Sequence, residues 1–267
     1  MPGVLDNAIV LRVWDYSETS QTASLLSREH GVVRVLAKGA RRPASKFGGG
    51  LEPVTLGEAS LIIKPATELA SLIEWDLREI FWPVRRELRC HYAGLYIADL
   101  LHHTVLAGDA HPRLFDATLE ALRRLTPGEP VEGPLLLLQW DLLTEIGYRP
   151  RLAPPDASTS GASDASAAPG ADRAGRPSAS TVRFDPTAGG VISDDDAHAP
   201  GASWQVRRDT VDVLARLDSE RAAALDAGNP SVVRASRLLA AYLRSVMDRE
   251  LPTRHLVFGP QGPRKTR

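Results

Sequence analysis

Cysteine occurs once in this 267-residue chain, as Cys90. That excludes an internal disulfide framework and a cysteine-rich zinc site, since each needs several thiols. Long apolar runs are missing as well. None approaches the roughly 18 residues that a membrane-spanning helix needs, and Met1 to Val10 lacks the basic start and apolar core of a signal peptide. The expectation is a soluble, cytoplasmic protein. An excess of either charge is also lacking: 32 basic and 33 acidic residues give −1, a total that on its face disfavours a nucleic-acid partner. The length suits one large domain or two small ones at roughly 100–200 residues each, enough to bury a core.

What is present divides at about residue 80. Ala8 to Val13, Thr22 to Ser27 and Val32 to Ala37 are short strand-like runs, the last two joined by a turn at Glu29-His30-Gly31. Val54 to Lys64 and Leu69 to Trp75 alternate apolar and polar residues around a turn at Pro65-Ala66-Thr67. Five short strands in so little chain predict a small closed barrel, of OB type or, as the nearest competitor, SH3-like. Beyond Val84 the period becomes helical. Leu88, Tyr92, Leu95, Tyr96, Leu100 and Leu101 surround a long helix that should lie inside a bundle. A second helix opens at Pro112, and a third, Pro134 to Ile146, stops at Gly147. The fold class is α+β: a five-stranded OB-fold barrel over residues 1–80, then a helical domain over 81–267.

Of the 29 residues from Ala153 to Thr181, all but Arg173 and Arg176 are Ala, Ser, Gly, Pro, Asp or Thr. Nothing larger than alanine is available there to offset ordering entropy, so a disordered insertion is expected. A β-like piece follows at Val182 to Ile192. A helix is then expected from about Arg207 to Gly228, carrying Val211, Leu214, Leu217 and Leu225. A last one is capped by Asn229-Pro230 and carries Val233, Leu238, Tyr242, Leu243 and Val246.

Chemistry concentrates in Arg34 to Gly50, RVLAKGARRPASKFGGG. Arg34, Lys38, Arg41, Arg42 and Lys46 give it five positive charges, and no acidic residue occurs between Glu29 and Glu52. Pro43 biases Arg42 toward an extended conformation, and three glycines permit close backbone approach. Such a loop either faces water alone or meets phosphates. There is no Walker sequence for a nucleoside triphosphate. Trp14, Tyr16 and Phe47 either pack locally or stack on unpaired bases. Metal and catalytic constellations are weak. His102 and His103 are adjacent on a helix and point apart. Asp194-Asp195-Asp196 with His198 reads as a solvated turn before a divalent-metal site, and Cys90 reads as a buried structural thiol. No enzyme is expected.

Read together, AIVLR at Ala8 to Arg12, DYSE at Asp15 to Glu18, REHG at Arg28 to Gly31, KGARR at Lys38 to Arg42, SKF at Ser45 to Phe47 and LEP at Leu51 to Pro53 resemble the N-terminal domain of the bacterial RecO family. IGYRP at Ile146 to Pro150, FDPTAGG at Phe184 to Gly190 and a final helix ending near Leu251 to Leu256 extend the resemblance over nearly the whole chain. The resemblance implies a recombination mediator of DNA repair, cytoplasmic and associated with the nucleoid. It would bind single- and double-stranded DNA, anneal complementary strands, and act with RecR. It would also help load the strand-exchange recombinase onto DNA coated by single-stranded-DNA-binding protein, whose acidic tail docks on the helical domain. Arg34, Lys38, Arg41, Arg42 and Lys46 would be the phosphate contacts, with Phe47 in the same loop and Trp14 and Tyr16 as stacking residues. Four or five neutralised phosphates would give a log-log salt slope near −3 on single strands. Many family members carry four zinc-binding cysteines. The corresponding places here, near Leu152 to Ser158 and Ser193 to Ala197, have none, so 182–201 is expected to be a zinc-ribbon-like remnant without zinc. An RNA-binding barrel and a helical interaction scaffold are the alternatives.

Overall fold

A computed structural model describes residues 3–48, 50–63, 67–153, 181–193, 203–222, 226 and 229–259. The first five strands are β1 (Val4–Asp15), β2 (Gln21–Ser27), β3 (Gly31–Ala37), β4 (Thr55–Ile62) and β5 (Ala70–Ile80). They close in the order β1-β2-β3-β5-β4, with β3 and β5 parallel and β4 returning to β1. This is the OB barrel. Its interior is filled by Ala8, Val10, Ala23, Leu25, Val33, Val35, Leu61, Leu72 and Trp75, which alternate along their strands with outward-facing residues as a two-residue period requires. Gly31 makes the expected turn at φ +66°. It also has to be glycine because the chain packs onto it: a Cβ there would sit 2.3 Å from the Asp109 carbonyl oxygen.

The helices are α1 (Trp82–Arg86), α2 (Leu88–Thr104), α3 (Pro112–Arg123), α4 (Glu132–Glu145), α5 (Arg208–Arg216), α6 (Pro230–Met247) and α7 (Arg254–Phe258). Glu87 is extended and separates α1 from α2; its carboxylate accepts the Arg89 and Cys90 amides at 3.0 and 2.7 Å, capping the longer helix. Cys90 is buried and unpaired. Burial first, and then Glu87, push its thiol up to about 12, so it stays protonated and inert. α4 is buried along almost its whole length and packs against α3 and α6. Asn229 caps α6 through its side-chain oxygen, 2.9 Å from the Ser231 amide.

Two expectations about helix ends need correction. The helix after Arg207 stops at Arg216, short of Gly228. The Glu220 and Ser219 amides both turn back to the Arg216 carbonyl, and Asp218 is held by the Trp140 indole at 2.9 Å and by Arg149. The last long helix ends at Met247, where Asp248 is left-handed at φ +47°; Leu251 belongs to the following segment and Leu256 to α7. A strand absent from the sequence reading, β8 (Trp204–Arg207), pairs with β6 (Thr181–Asp185), which also pairs with β7 (Gly190–Ile192). Most of the Ala153 to Thr181 tract, and the Asp194 to His198 cluster, lie outside the described residues.

One core joins the two halves. Ile9, Leu11, Leu26, Val32, Val54 and Leu56 lie on the outside of the barrel and pack in the same buried cluster as Ile97, Leu100 and Leu101 of α2.

Candidate nucleic-acid interface

The outer surface of β1, β2 and β3 changes character along its length, and a β-bulge sets where. Val10 pairs with Leu25 but Arg12 pairs with Ser24, leaving Leu11 extra. Ala8 and Val10 point into the barrel; continued without a bulge, that alternation would turn Arg12 and Trp14 inward too. The extra residue reverses the sense. Val13 packs against the barrel interior, while Arg12, Trp14 and Tyr16 face outward, Trp14 40% and Tyr16 64% exposed.

On this face the registers stack residues in rows. Arg12 lies opposite Ser24, which lies opposite Arg34; Trp14 lies opposite Thr22, which lies opposite Leu36. Lys38 continues the line of Arg34 and Leu36 just beyond β3 and is exposed. At the apolar end, Ile9, Leu11, Leu26 and Val32 are covered by α2. The open end carries cations and aromatic rings. The boundary is the last turn of α2, where His102 Nδ1 lies 2.9 Å from Ser24 Oγ and its ring centroid 5.8 Å from that of Trp14. Burial, helped by His103 and Arg12, lowers the His102 pKa to about 4, so the ring is neutral near pH 7.

The five loop cations are not equivalent. Arg41 is paired with Asp15, and Lys46 Nζ lies 3.5 Å from Glu74. Arg34, Lys38 and Arg42 have no carboxylate within ion-pair reach among the described residues, and all three are exposed. Exposed pairs are worth about 0.2–1 kcal/mol, so Arg41 and Lys46 remain recruitable at small cost.

The loop itself is pinned. The Arg41 amide donates to the Thr19 carbonyl at 3.0 Å, the Gly39 amide to Ser20 Oγ at 3.0 Å, and the Trp75 amide to the Lys46 carbonyl at 3.1 Å. Two turns follow one another, from Arg42 to Gly39 and from Ser45 to Arg42. Phe47 is a correction: it is only 5% exposed and belongs to the barrel core with Leu51, Leu72 and Trp75. Its ring has no free face for a base. It anchors the loop that presents the cations, because burying an aromatic ring fixes the backbone on either side of it. The expected close approach at the glycines is internal too, the Leu51 amide next to Gly50 donating to the buried Gln21 Oε1 at 2.9 Å.

Sequence reasoning does not place Arg12, Ser24 or His102 on this face, and the expectation that His102 and His103 point apart is corrected, since their rings meet edge-on at a centroid distance of 4.8 Å. Arg12 reaches into the junction and holds the buried Asp99 carboxylate at 2.6 Å, and Thr253 Oγ1 donates to the same carboxylate at 2.8 Å. No signal short of the bulge assigns Arg12 to this face. Among the described residues no three His, Cys, Asp or Glu side chains converge as a metal site, and no helix is long and apolar enough to cross a membrane.

Comparison with known families gives two matches in tandem, "Recombination protein O N terminal" over residues 1–81 and "Recombination protein O C terminal" over 85–255. A relative from Anaeromyxobacter sp. (strain Fw109-5), named DNA repair protein RecO, is 34% identical over 255 residues, 93% of each chain. One of the same name from Rhodopirellula baltica is 35% identical over 217 residues, covering 80% of this chain and 74% of that relative. A third, from Bacillus pumilus, is 30% identical over 149 residues.

Proposed function

This chain belongs to the recombination protein O family of bacterial DNA repair proteins, and on that premise we propose that it acts as a non-catalytic recombination mediator. In this reading, residues 1–80 bind single- and double-stranded DNA and promote annealing of complementary strands. The helical part, 81–267, meets RecR and the acidic tail of single-stranded-DNA-binding protein, and the assembly helps load the strand-exchange recombinase. It would work in the cytoplasm, at the nucleoid. The supporting observation is the open end of the β1-β2-β3 face, where Arg34 and Lys38 flank the row of exposed Trp14, with Arg42 in the loop that follows and exposed Tyr16 just beyond β1; the three cations have no ion-pair partner among the described residues.

The physical logic is that of charge without base readout. Annealing brings two polyanions together, and cations that neutralise phosphates lower their repulsion while leaving base edges free to pair. Trp14 near the end of β1 and Tyr16 just beyond it, both exposed, provide flat surfaces for unpaired bases. Three unpaired cations, rather than five, would give a log-log salt slope of about −2 on single strands, shallower than composition alone implies.

Family members with zinc hold it through cysteines, but this chain has none at Leu152 to Ser158 or Ser193 to Ala197. The donor set does not fit, and we propose a zinc-free hairpin. The decisive experiment is annealing of two complementary oligonucleotides, bare and coated, by the wild type and by a combined Arg34→Ala, Lys38→Ala, Arg42→Ala variant. The variant should lose annealing, bind all sequences more weakly and show a slope flatter by about 2. An unchanged slope would remove this face as the contact, and preference for structured RNA over single-stranded DNA would replace the assignment.

A further inference from the structure

Beyond the barrel, the cationic and aromatic face continues onto the helical half of the molecule. Trp14 contacts the His102 ring, His102 contacts the His103 ring edge-on at a centroid distance of 4.8 Å, and the Arg249 guanidinium donates to His103 Nδ1 at 2.8 Å. Arg249 arrives there because of how α6 ends. Left-handed Asp248 reverses the chain, and the Arg249 amide returns to the Arg244 carbonyl at 3.3 Å, turning the side chain toward the end of α2.

Arg249 is exposed and has no carboxylate within ion-pair reach among the described residues. The nearby acids are otherwise engaged. Glu250 is held by Arg244 and Arg254, each at 2.6 Å, and buried Asp99 is compensated by Arg12 and Thr253. The exposed Asp248, next to Arg249 in sequence, has no ion-pair partner among the described residues. A guanidinium whose partner is a neutral imidazole keeps its full charge for an incoming anion. His103 is suited to that role, since burial and the neighbouring Arg249 hold it below its ordinary pKa.

From this we infer that a single nucleic-acid strand bound on the barrel face runs on across the domain junction, over the His102-His103 turn, and places a backbone phosphate on Arg249. The inference rests on the reading of the barrel face given above. It makes the binding site a track shared by both halves of the chain, longer than the barrel alone supplies. OB folds occupy about 4–16 nucleotides, so a short oligomer can be held by the barrel cations while a long one reaches Arg249.

The test is fluorescence anisotropy with thymidine oligomers of about 6 and about 15 nucleotides, titrated across salt, using wild type, Arg249→Ala, Arg249→Lys and Arg34→Ala. Arg249→Ala should bind the short oligomer like the wild type. It should bind the long one about three- to tenfold more weakly, with a salt slope flatter by about 0.7, the loss of one phosphate contact; Arg249→Lys should keep the wild-type slope. The inference is overturned if Arg249→Ala leaves the long oligomer unaffected, or weakens both lengths equally. If Arg34→Ala weakens neither oligomer, the barrel-face reading itself fails, whatever Arg249 does.

Discussion

Arg34, Lys38, Arg41, Arg42 and Lys46 look alike in sequence, yet the fold divides them. Asp15, the last residue of β1 and flanked by Trp14 and Tyr16, holds Arg41 in an exposed ion pair, so one loop cation is withheld by an acid that sits between the two aromatic rings in sequence. Replacing Asp15 with Asn should release Arg41. Since exposed pairs are worth about 0.2–1 kcal/mol, single-stranded DNA should bind about 1.4- to fivefold more tightly. The salt slope should steepen by about 0.7 if Arg41 takes up a phosphate. Equal or weaker binding by the variant would show that Arg41 serves only to shape the loop. Phe47 makes the complementary point: in the midst of a basic segment, its value is as an anchor in the core.

At the scale of elements, the β6-β7-β8 hairpin shows how a small sheet holds together without thiolates. Phe184 is fully buried, stacks on Trp204 at 5.8 Å with planes 8° apart, and meets Tyr242 of α6 edge-on at 5.4 Å. The turn is closed by Asp185, whose Oδ1 accepts the Thr187 amide at 2.8 Å and the Thr187 hydroxyl at 2.6 Å. Those hydrogen bonds hold the Asp185 carboxyl below the usual carboxylate range. On the zinc-free reading proposed above, apolar burial would supply what a metal otherwise adds to folding. A chelator should leave the thermal midpoint unmoved, and metal analysis should find no stoichiometric zinc. Phe184→Ala should destabilise the protein by about 3–5 kcal/mol. A midpoint that drops on chelation would refute the zinc-free hairpin.

For the whole molecule, the barrel and the helical half are distinct in architecture but share a core through Ile9, Leu11, Leu26 and Val32 against α2. Leu101, with no exposed surface, is at that seam. Its replacement by Ala should cost about 2–5 kcal/mol, and it should lower the denaturation midpoint of barrel amides, followed by hydrogen exchange, together with that of the helices, followed by circular dichroism. A barrel midpoint that stays put while the helices melt earlier would mean two independently folding units. The track proposed across both halves relies on the same seam, since α2 ends against β2 through His102 and Ser24.

The strands, the helices to Ile146 and the basic segment were legible in the sequence because each is a local pattern: alternation of period two, apolar residues spaced for a helix, a run of cations without acids. The helix stopping at Arg216 and strand β8 were not, since side chains and strands distant in sequence decide both. Nor could sequence separate the paired cations from the free ones, or set Phe47 in the core beside Trp14 on the surface. Those depend on one extra residue at Leu11 that turns β1 over, and on Asp15, Glu74, His102 and Arg249 arriving from elsewhere in the chain. Charge and periodicity are properties of neighbours along the chain; which charges remain free, and which way a ring faces, are settled by neighbours in space.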